Sequence, residues 1–401
     1  MIPKDICDLL EESLDGKIEN FVIQEHEGNE KGQGYLGEMV FFSLKNKNIG
    51  EDHHLVVKQC LGGSEETSKL MSMFFSNEVH FYTKVIPAIQ SFQKSYPKVE
   101  IFNNIPKCFA TSSRKGKEKL VMENLNQKDY KMHPKKIPLN SKMYEVIFKM
   151  YGKFHGISYA FKHYHPEEFS ELGAGYHKNM TRFFSRGLMQ QGIRNCCNWI
   201  KEFLEEEEDI KILDSFKKYC DEGPQMLLDA LEYKSPYSIF IHGDCWSNNM
   251  MFKYNNSDIE DIKMLDFQMA GVGSPVLDLT YFFYSGADEE SISNLDHFLE
   301  IYYKSLSETL KDYGCSAEKV LPFTELKKEW KEHNAFGLLF GLLIWNFKYL
   351  KPSENPNMAE LLDTDPQGEN FSRIMRKADS TGFKSASLLI VRHMYRNNFF
   401  N

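Results

Sequence analysis

Eight consecutive residues, His242-Gly-Asp-Cys-Trp-Ser-Asn-Asn249, lie between the apolar stretches SIFI and MMF. Asp244 and Asn249 stand five apart within them. At that spacing a loop carboxylate can orient an attacking hydroxyl while an amide oxygen ligates magnesium, a division of labour suited to phosphoryl transfer. Asn248 offers a neighbouring amide, and an Asx-rich turn between two strands is the bland alternative. Seventeen residues after Asn249, the apolar run Lys263-Met-Leu-Asp-Phe-Gln268 ends in an acid, Asp266. A carboxylate at a strand end close behind the first loop is placed to bind magnesium against phosphates. An LDF sequence is common by itself, and its distance from the first motif is what gives it meaning.

The same chemistry needs a cation on the phosphates. Lys58 closes the apolar strand Leu55-Val-Val-Lys58, 21 residues after Gly37. A charge at a buried strand end is costly unless partnered, and Glu78 in the following helix is the expected counter-ion. Such a pair would hold the ammonium against the α- and β-phosphates. Gly32, Gly34 and Gly37 match GxGxxG. The dinucleotide fingerprint reads the same, yet it opens a helix; here the glycines fall between two strands, which favours a turn over phosphates contributing backbone amides. Met122-Glu-Asn-Leu125 ends the strand-rich part of the chain, where a connector including Glu123 and Leu125 could meet an adenine through its backbone. Asp278, in GSPVLDLTYFF, begins an amphipathic helix and either braces the loop around Asp244 or caps its own helix.

These residues must be positioned by two kinds of element. Residues 3–15 read as a short helix, FVIQEHE and EMVFFSL as a hairpin around the glycines, and residues 54–59 as a third strand. A helix from about Lys69 to Val85 ends before Pro87. IPKCFATSS and KLVMENL form the next strand pair. Beyond Leu125 helices are expected near 141–160, 177–206, 209–232, 287–313, 325–349 and 367–377. The reading is an α+β chain of two unequal lobes, a small antiparallel-sheet lobe over residues 1–124 and a larger, mostly helical one over 125–401.

Composition narrows the classes of function. A chain of 401 residues, 42% hydrophobic, can bury a large core. Its net charge of -9 argues against a nucleic-acid binder, whose affinity needs concentrated Lys and Arg. The eight cysteines show no CxxC spacing, so neither a zinc site nor a disulfide framework is indicated, and reduced thiols in the cytoplasm are expected. The amino terminus is acidic where a signal peptide would be basic. The longest apolar stretch, Ala335 to Trp345, is short of the roughly 20 residues that span a bilayer.

With these residues in place, the chain resembles the ecdysteroid kinase-like family of the choline and aminoglycoside kinase superfamily. The resemblance rests on the Lys58 strand, FFSNEVHFYTKVIP with Glu78, VMENL, HGDCWSNNMMF, and MLDFQ followed by PVLDLTYFFY. It implies a protein-kinase-like fold and ATP- and Mg2+-dependent transfer to a hydroxyl of an ecdysteroid, plant toxin or other foreign compound. Asp244 then resembles the catalytic base, and Asn249 and Asp266 the magnesium ligands. It implies a small-molecule acceptor, with no membrane and no obligate protein partner. Aromatic and methionine side chains in the later helices, Tyr176, Phe183, Phe184, Met189, Trp199, Phe336, Phe340, Trp345 and Tyr349, could line a site for a flat apolar acceptor or simply fill a core. A choline- or aminoglycoside-type kinase and a nucleotide-binding pseudokinase remain the alternatives. A protein kinase fits less well, since only eleven residues separate Asp266 from Asp278.

Overall fold

Alternation of apolar residues along the early strands dictates a sheet with two covered faces. The computed structural model describes residues 3–14, 17–26, 37–47, 52–60, 64–114, 116–256 and 258–400. Gly32 and Gly34 lie outside them, and Gly37 opens a strand. Five antiparallel strands stand in the order β1 (Phe21–His26), β2 (Gly37–Asn46), β3 (Asp52–Cys60), β5 (Lys119–Glu123), β4 (Cys108–Ser112). Leu55, Val57 and Val121 turn to one face, where they meet Ile6 and Leu10 of α1 (Lys4–Ser13). Val56, Leu120 and Met122 turn to the other, against Leu70, Phe74 and Phe75 of α2 (Glu65–His80). Because side chains alternate at period two, Lys58 follows Val56 onto the α2 side.

α2 starts earlier than its apolar pattern suggests, because Ser64 caps it by accepting from the Thr67 N–H. Pro87 does not end the helical segment. A π turn over Phe81–Val85 inserts an extra residue, and the chain runs on as α3 (Ile86–Lys94) with Pro87 at its start, the irregular turn before it accommodating the proline's missing backbone donor.

The larger lobe is helical. α4 (Ser141–Tyr164), α5 (Pro166–Ala174), α6 (Asn179–Phe184), α7 (Gly187–Glu206) and α8 (Ile210–Glu232) accompany two small sheets. One pairs β7 (Ile239–Ile241) with β10 (Gly271–Gly273); the other orders β6 (Tyr130–Met132), β8 (Met250–Asn255) and β9 (Asp258–Met264). α9 (Pro275–Tyr284) and the helix Ala335–Tyr349 pack together behind them. The segment joining β7 to β8 carries residues 242–249, and the one joining β9 to β10 carries Asp266, so both motifs emerge at neighbouring strand ends.

Three long helices expected from sequence are each divided. Ser185 folds its hydroxyl back onto the Arg182 carbonyl between α6 and α7, Asn294 separates Glu289–Ser293 from Leu295–Asp312, and Asn334 separates Phe323–His333 from Ala335–Tyr349. Short polar side chains compete with the helix for its own backbone groups. The helix Ser380–Arg396 was not anticipated, since its apolar run SLLIV is too short to separate helix from strand by periodicity. No helix among the described residues is long and apolar enough to cross a membrane.

One lysine in the helix Ala335–Tyr349 has no acid to balance it among the described residues. The buried Lys348 ammonium donates to the Ser285 carbonyl at 2.6 Å, and burial, with Lys135 adding to it, pulls its pKa down to about 7. Its unfolded value is near 10.5. The penalty for holding this charge is therefore full below pH 7 and fades as pH rises towards 10.5. Lys348→Met is expected to be more stable than the wild type near pH 6 by on the order of 1–3 kcal/mol, with the difference shrinking towards pH 10. Urea denaturation across this range checks it; a pH-independent difference would contradict the assignment.

Candidate active site

Lys58 draws two carboxylates from distant parts of the chain to one point. Its ammonium lies 2.6 Å from Glu78 Oε2 and 2.5 Å from Asp266 Oδ1. Burial alone would push the ammonium towards neutrality, but Asp266 and Glu78 outweigh it and raise its pKa above the ordinary lysine value. Glu78 is fully buried, so burial pushes its carboxyl up while Lys58 pulls it back. Asp266 is partly open, with 26% of its side chain exposed, which leaves it a face towards solvent and ligand.

Asp266 sits in the left-handed region, at φ 65°, just before the short turn Phe267–Met269. Aspartate tolerates this conformation better than most residues, yet such outliers persist only where their surroundings hold them. Here Phe267 stacks on Phe81 of the π turn, centroids 3.7 Å apart. Two asparagines complete the clamp. Asn77 of α2 donates to the Ala270 and His177 carbonyls, and Asn179 of α6 donates to those of Gln268 and Met73. The sheet-side helix and the Asp266 segment are thereby fixed to one another.

The loop around Asp244 is held from behind by Asp278. Its carboxylate accepts from the backbone N–H groups of His242 and Gly243, both at 2.8 Å, and contacts His155 Nε2 at 3.3 Å. Of the two roles open to Asp278 on sequence grounds, bracing the loop is the one observed; the helix cap is Ser274. Although burial pushes the Asp278 carboxyl up, hydrogen bonding and charge from His155 hold its pKa below the ordinary value. Gly243 adopts φ +81°, and a Cβ there would strike the Met269 carbonyl. Burial pushes the His242 pKa down; its Nε2 bonds the Leu265 carbonyl and its Nδ1 accepts from the Asp244 N–H. The Leu265 N–H bonds the Asn249 carbonyl at 2.8 Å, which sets Asp266 beside Asn249.

Asp244 is oriented at both oxygens. Tyr281 donates to Oδ1 at 3.1 Å and Asn249 Nδ2 to Oδ2 at 2.8 Å. Burial first, then the charge of Asp266, pushes its pKa up to about 7, a value suited to taking a proton near neutrality. Because the Asn249 amide nitrogen faces Asp244, its Oδ1 is left to face a cation. Among the described residues no cluster of three His, Cys, Asp or Glu side chains forms a protein-only metal cage. Magnesium does not require one, since it takes one or two protein oxygens and completes its shell with water and phosphate; Asn249 and Asp266 fit that demand.

Asp244, Asn248, Asn249 and Asp266 line a single cavity of about 90 Å³ with Trp246, Gln268, Met269, Phe183, Met189, Phe340, Ile344, Phe347 and Met358. Three of the nine side chains considered for an acceptor wall, Phe183, Met189 and Phe340, are there. The others pack elsewhere, as Trp199 does on Phe383 and Tyr176 on His80. Glu123 and Leu125 do not line this cavity. Glu123 bonds the Lys107 N–H and pairs with Lys128, and Leu125 packs with Tyr130 and Met251 under the strand that leads to Asp266. A larger groove, lined by Lys98, Lys149, Lys153, Glu260, Glu308 and Asp312 among others, contains none of the motif residues. Sequence reasoning missed Tyr281, His155, Asn77 and Asn179. Only Tyr281 left a signal, three residues after Asp278 and so on the same helix face.

Residues 31–315 match the profile described as the ecdysteroid kinase-like family. This chain belongs to the ecdysteroid kinase-like family. No curated protein matches it significantly. Among solved structures it is similar to a choline kinase from Cryptosporidium parvum, at 13% identity over 95% of this chain and 92% of that one, TM-score 0.42. It is also similar to a variant aminoglycoside 2'-phosphotransferase in complex with GDP, at 11% identity over 94% and 92% of the two chains, TM-score 0.38. The α+β architecture expected, a small antiparallel sheet followed by a larger, mostly helical part, is the one observed.

Removing Lys58 leaves Glu78 buried without its counter-charge. Lys58→Met is expected to cost about 3–5 kcal/mol of stability. Adding Glu78→Gln should recover most of that loss without recovering any phosphoryl transfer. Urea melts and turnover of the single and double variants check this, and a double variant as unstable as the single one would contradict the pairing.

Proposed function

We propose that this kinase transfers the γ-phosphoryl group of ATP to a hydroxyl of a largely apolar small molecule, an ecdysteroid or similar foreign alcohol. A phosphotransferase acting on small molecules follows from the family. The finer reading is supported by one observation above all: Asp244, held at both oxygens and with its pKa near 7, faces a cavity whose remaining walls are mostly apolar.

In this reading Asp244 accepts the acceptor hydroxyl's proton as that oxygen bonds to the γ-phosphorus and the bond to ADP breaks. Lys58, kept in place by Glu78, neutralises charge on the α- and β-phosphates. Asn249 and Asp266 hold magnesium, which when bound offsets charge on the phosphate oxygens. The backbone near Glu123 and Leu125 meets the adenine. The apolar wall, from Phe183 to Met358, takes the body of the acceptor. A cationic acceptor such as choline is favoured less, because among the described residues the acids lining the cavity are Asp244 and Asp266, both assigned to the reaction. The eight free thiols suit a reducing compartment such as the cytoplasm, and a detoxifying role is compatible with such an acceptor.

Asp244→Asn should lower turnover by about 10²–10⁴-fold, the usual worth of a positioned base, with magnesium-ATP affinity nearly unchanged. Incubation with labelled ATP and a panel of ecdysteroids, choline, an aminoglycoside and plant phenols tests the acceptor class. Labelled ecdysteroid or phenol product is expected; product from choline or the aminoglycoside alone, or wild-type turnover by the Asn variant, would overturn the proposal.

A further inference from the structure

The cavity contains two amide side chains for which the reaction supplies no role. Gln268 is 4% exposed, and its Oε1 is buried without a hydrogen-bond partner; Asn248 Oδ1 is buried and unpartnered as well. Both residues line the cavity that holds Asp244. A buried amide oxygen is costly to leave unpaired, so native structures almost always satisfy it with protein, water or ligand. The apolar part of the wall, Phe183, Met189, Phe340, Ile344 and Phe347, has no donor to offer it.

Gln268 is also fixed in place. It lies two residues after Asp266 in the turn Phe267–Met269, and its carbonyl is held by Asn179 at 2.9 Å. An unpaired acceptor on a clamped backbone, beside the apolar part of the wall, selects a ligand with an apolar body and a donor at one defined place. A carboxylate at this position would have attracted a cation; a neutral amide oxygen matches a neutral donor, of which a hydroxyl is the simplest.

Resting on the kinase reading above, we infer that Gln268 is a specificity-determining residue. Its Oε1 accepts a hydrogen bond from a second hydroxyl of the acceptor, distinct from the hydroxyl presented to Asp244, so the site prefers polyhydroxylated apolar alcohols over their mono-hydroxylated analogues. A site built to pair a substrate hydroxyl discriminates strongly against the analogue lacking it, because its own polar group is then left unpaired.

The test uses the full chain, an ecdysteroid and a set of its deoxy analogues, each lacking one hydroxyl. Binding is measured by calorimetry without ATP, and kcat/KM with magnesium-ATP. The wild type should bind one deoxy analogue about 10–100-fold more weakly than the parent. Gln268→Met, of similar shape but without the amide oxygen, should bind the two about equally, with an unchanged KM for magnesium-ATP and an unchanged thermal melt. Gln268→Glu, which keeps an acceptor oxygen, should still discriminate. Discrimination that survives in Gln268→Met overturns the inference. So does a uniform loss for all acceptors with a raised magnesium requirement, which would place Gln268 at the metal instead. Failure of the wild type to bind any member of the set also overturns it, yet leaves the kinase reading standing wherever another acceptor is phosphorylated. Binding with the expected discrimination but no transfer would sustain the Gln268 assignment while sinking the kinase reading.

Discussion

A lysine ammonium removed from water and held between two carboxylates of different lobes is the interaction on which the rest depends. Lys58 reaches the site because β3 alternates its side chains, Glu78 because α2 packs its apolar face on that sheet, and Asp266 because β9 ends beside the loop of Asp244. No two of these can form the arrangement alone. A lysine buried with one acid would be a structural ion pair of doubtful net benefit. With a second, partly exposed acid, the same cation is tied to a carboxylate that lines a cavity, within reach of a ligand there.

Much of the remaining architecture serves to keep that point rigid. The π turn in the segment after α2 brings Phe81 onto Phe267, and Asn77 and Asn179 bridge backbone carbonyls on either side. Asp278 performs the equivalent task for the neighbouring loop, pairing two backbone donors that the tight turn at Gly243 would otherwise leave buried and unmet. Preorganisation of this kind matters in phosphoryl transfer because little covalent work falls to the protein; its contribution is position and charge.

The residues whose chemistry depends on local spacing were legible in the sequence. Asp244 and Asn249 share one loop, Asp266 follows at a fixed interval, and Lys58 and Glu78 occupy a strand and the helix after it. What was not legible depends on contacts between elements far apart in the chain. His155 lies in the middle of α4, and nothing in its neighbourhood distinguishes it from an ordinary core histidine until the fold places it against Asp278 and Tyr302. The same holds for Asn77 and Asn179. Pro87 misled for a different reason: proline marks a helix end only when the turn before it is regular, and here it is not. The aromatic wall could not be separated from the core by composition, since both are built from the same residue types. Gly32 and Gly34, the weakest part of the motif set, lie outside the described residues.

The central claim is that Asp266 and Asn249 face one cation beside Lys58. Crystals grown with manganese in place of magnesium and a non-hydrolysable ATP analogue, measured at the manganese absorption edge, locate that cation directly. The account requires an anomalous peak within bonding distance of the Asp266 carboxylate and the Asn249 amide oxygen, with Lys58 against the α- and β-phosphates. A nucleotide bound with its metal elsewhere, and Lys58 still turned only to Glu78 and Asp266, would contradict it.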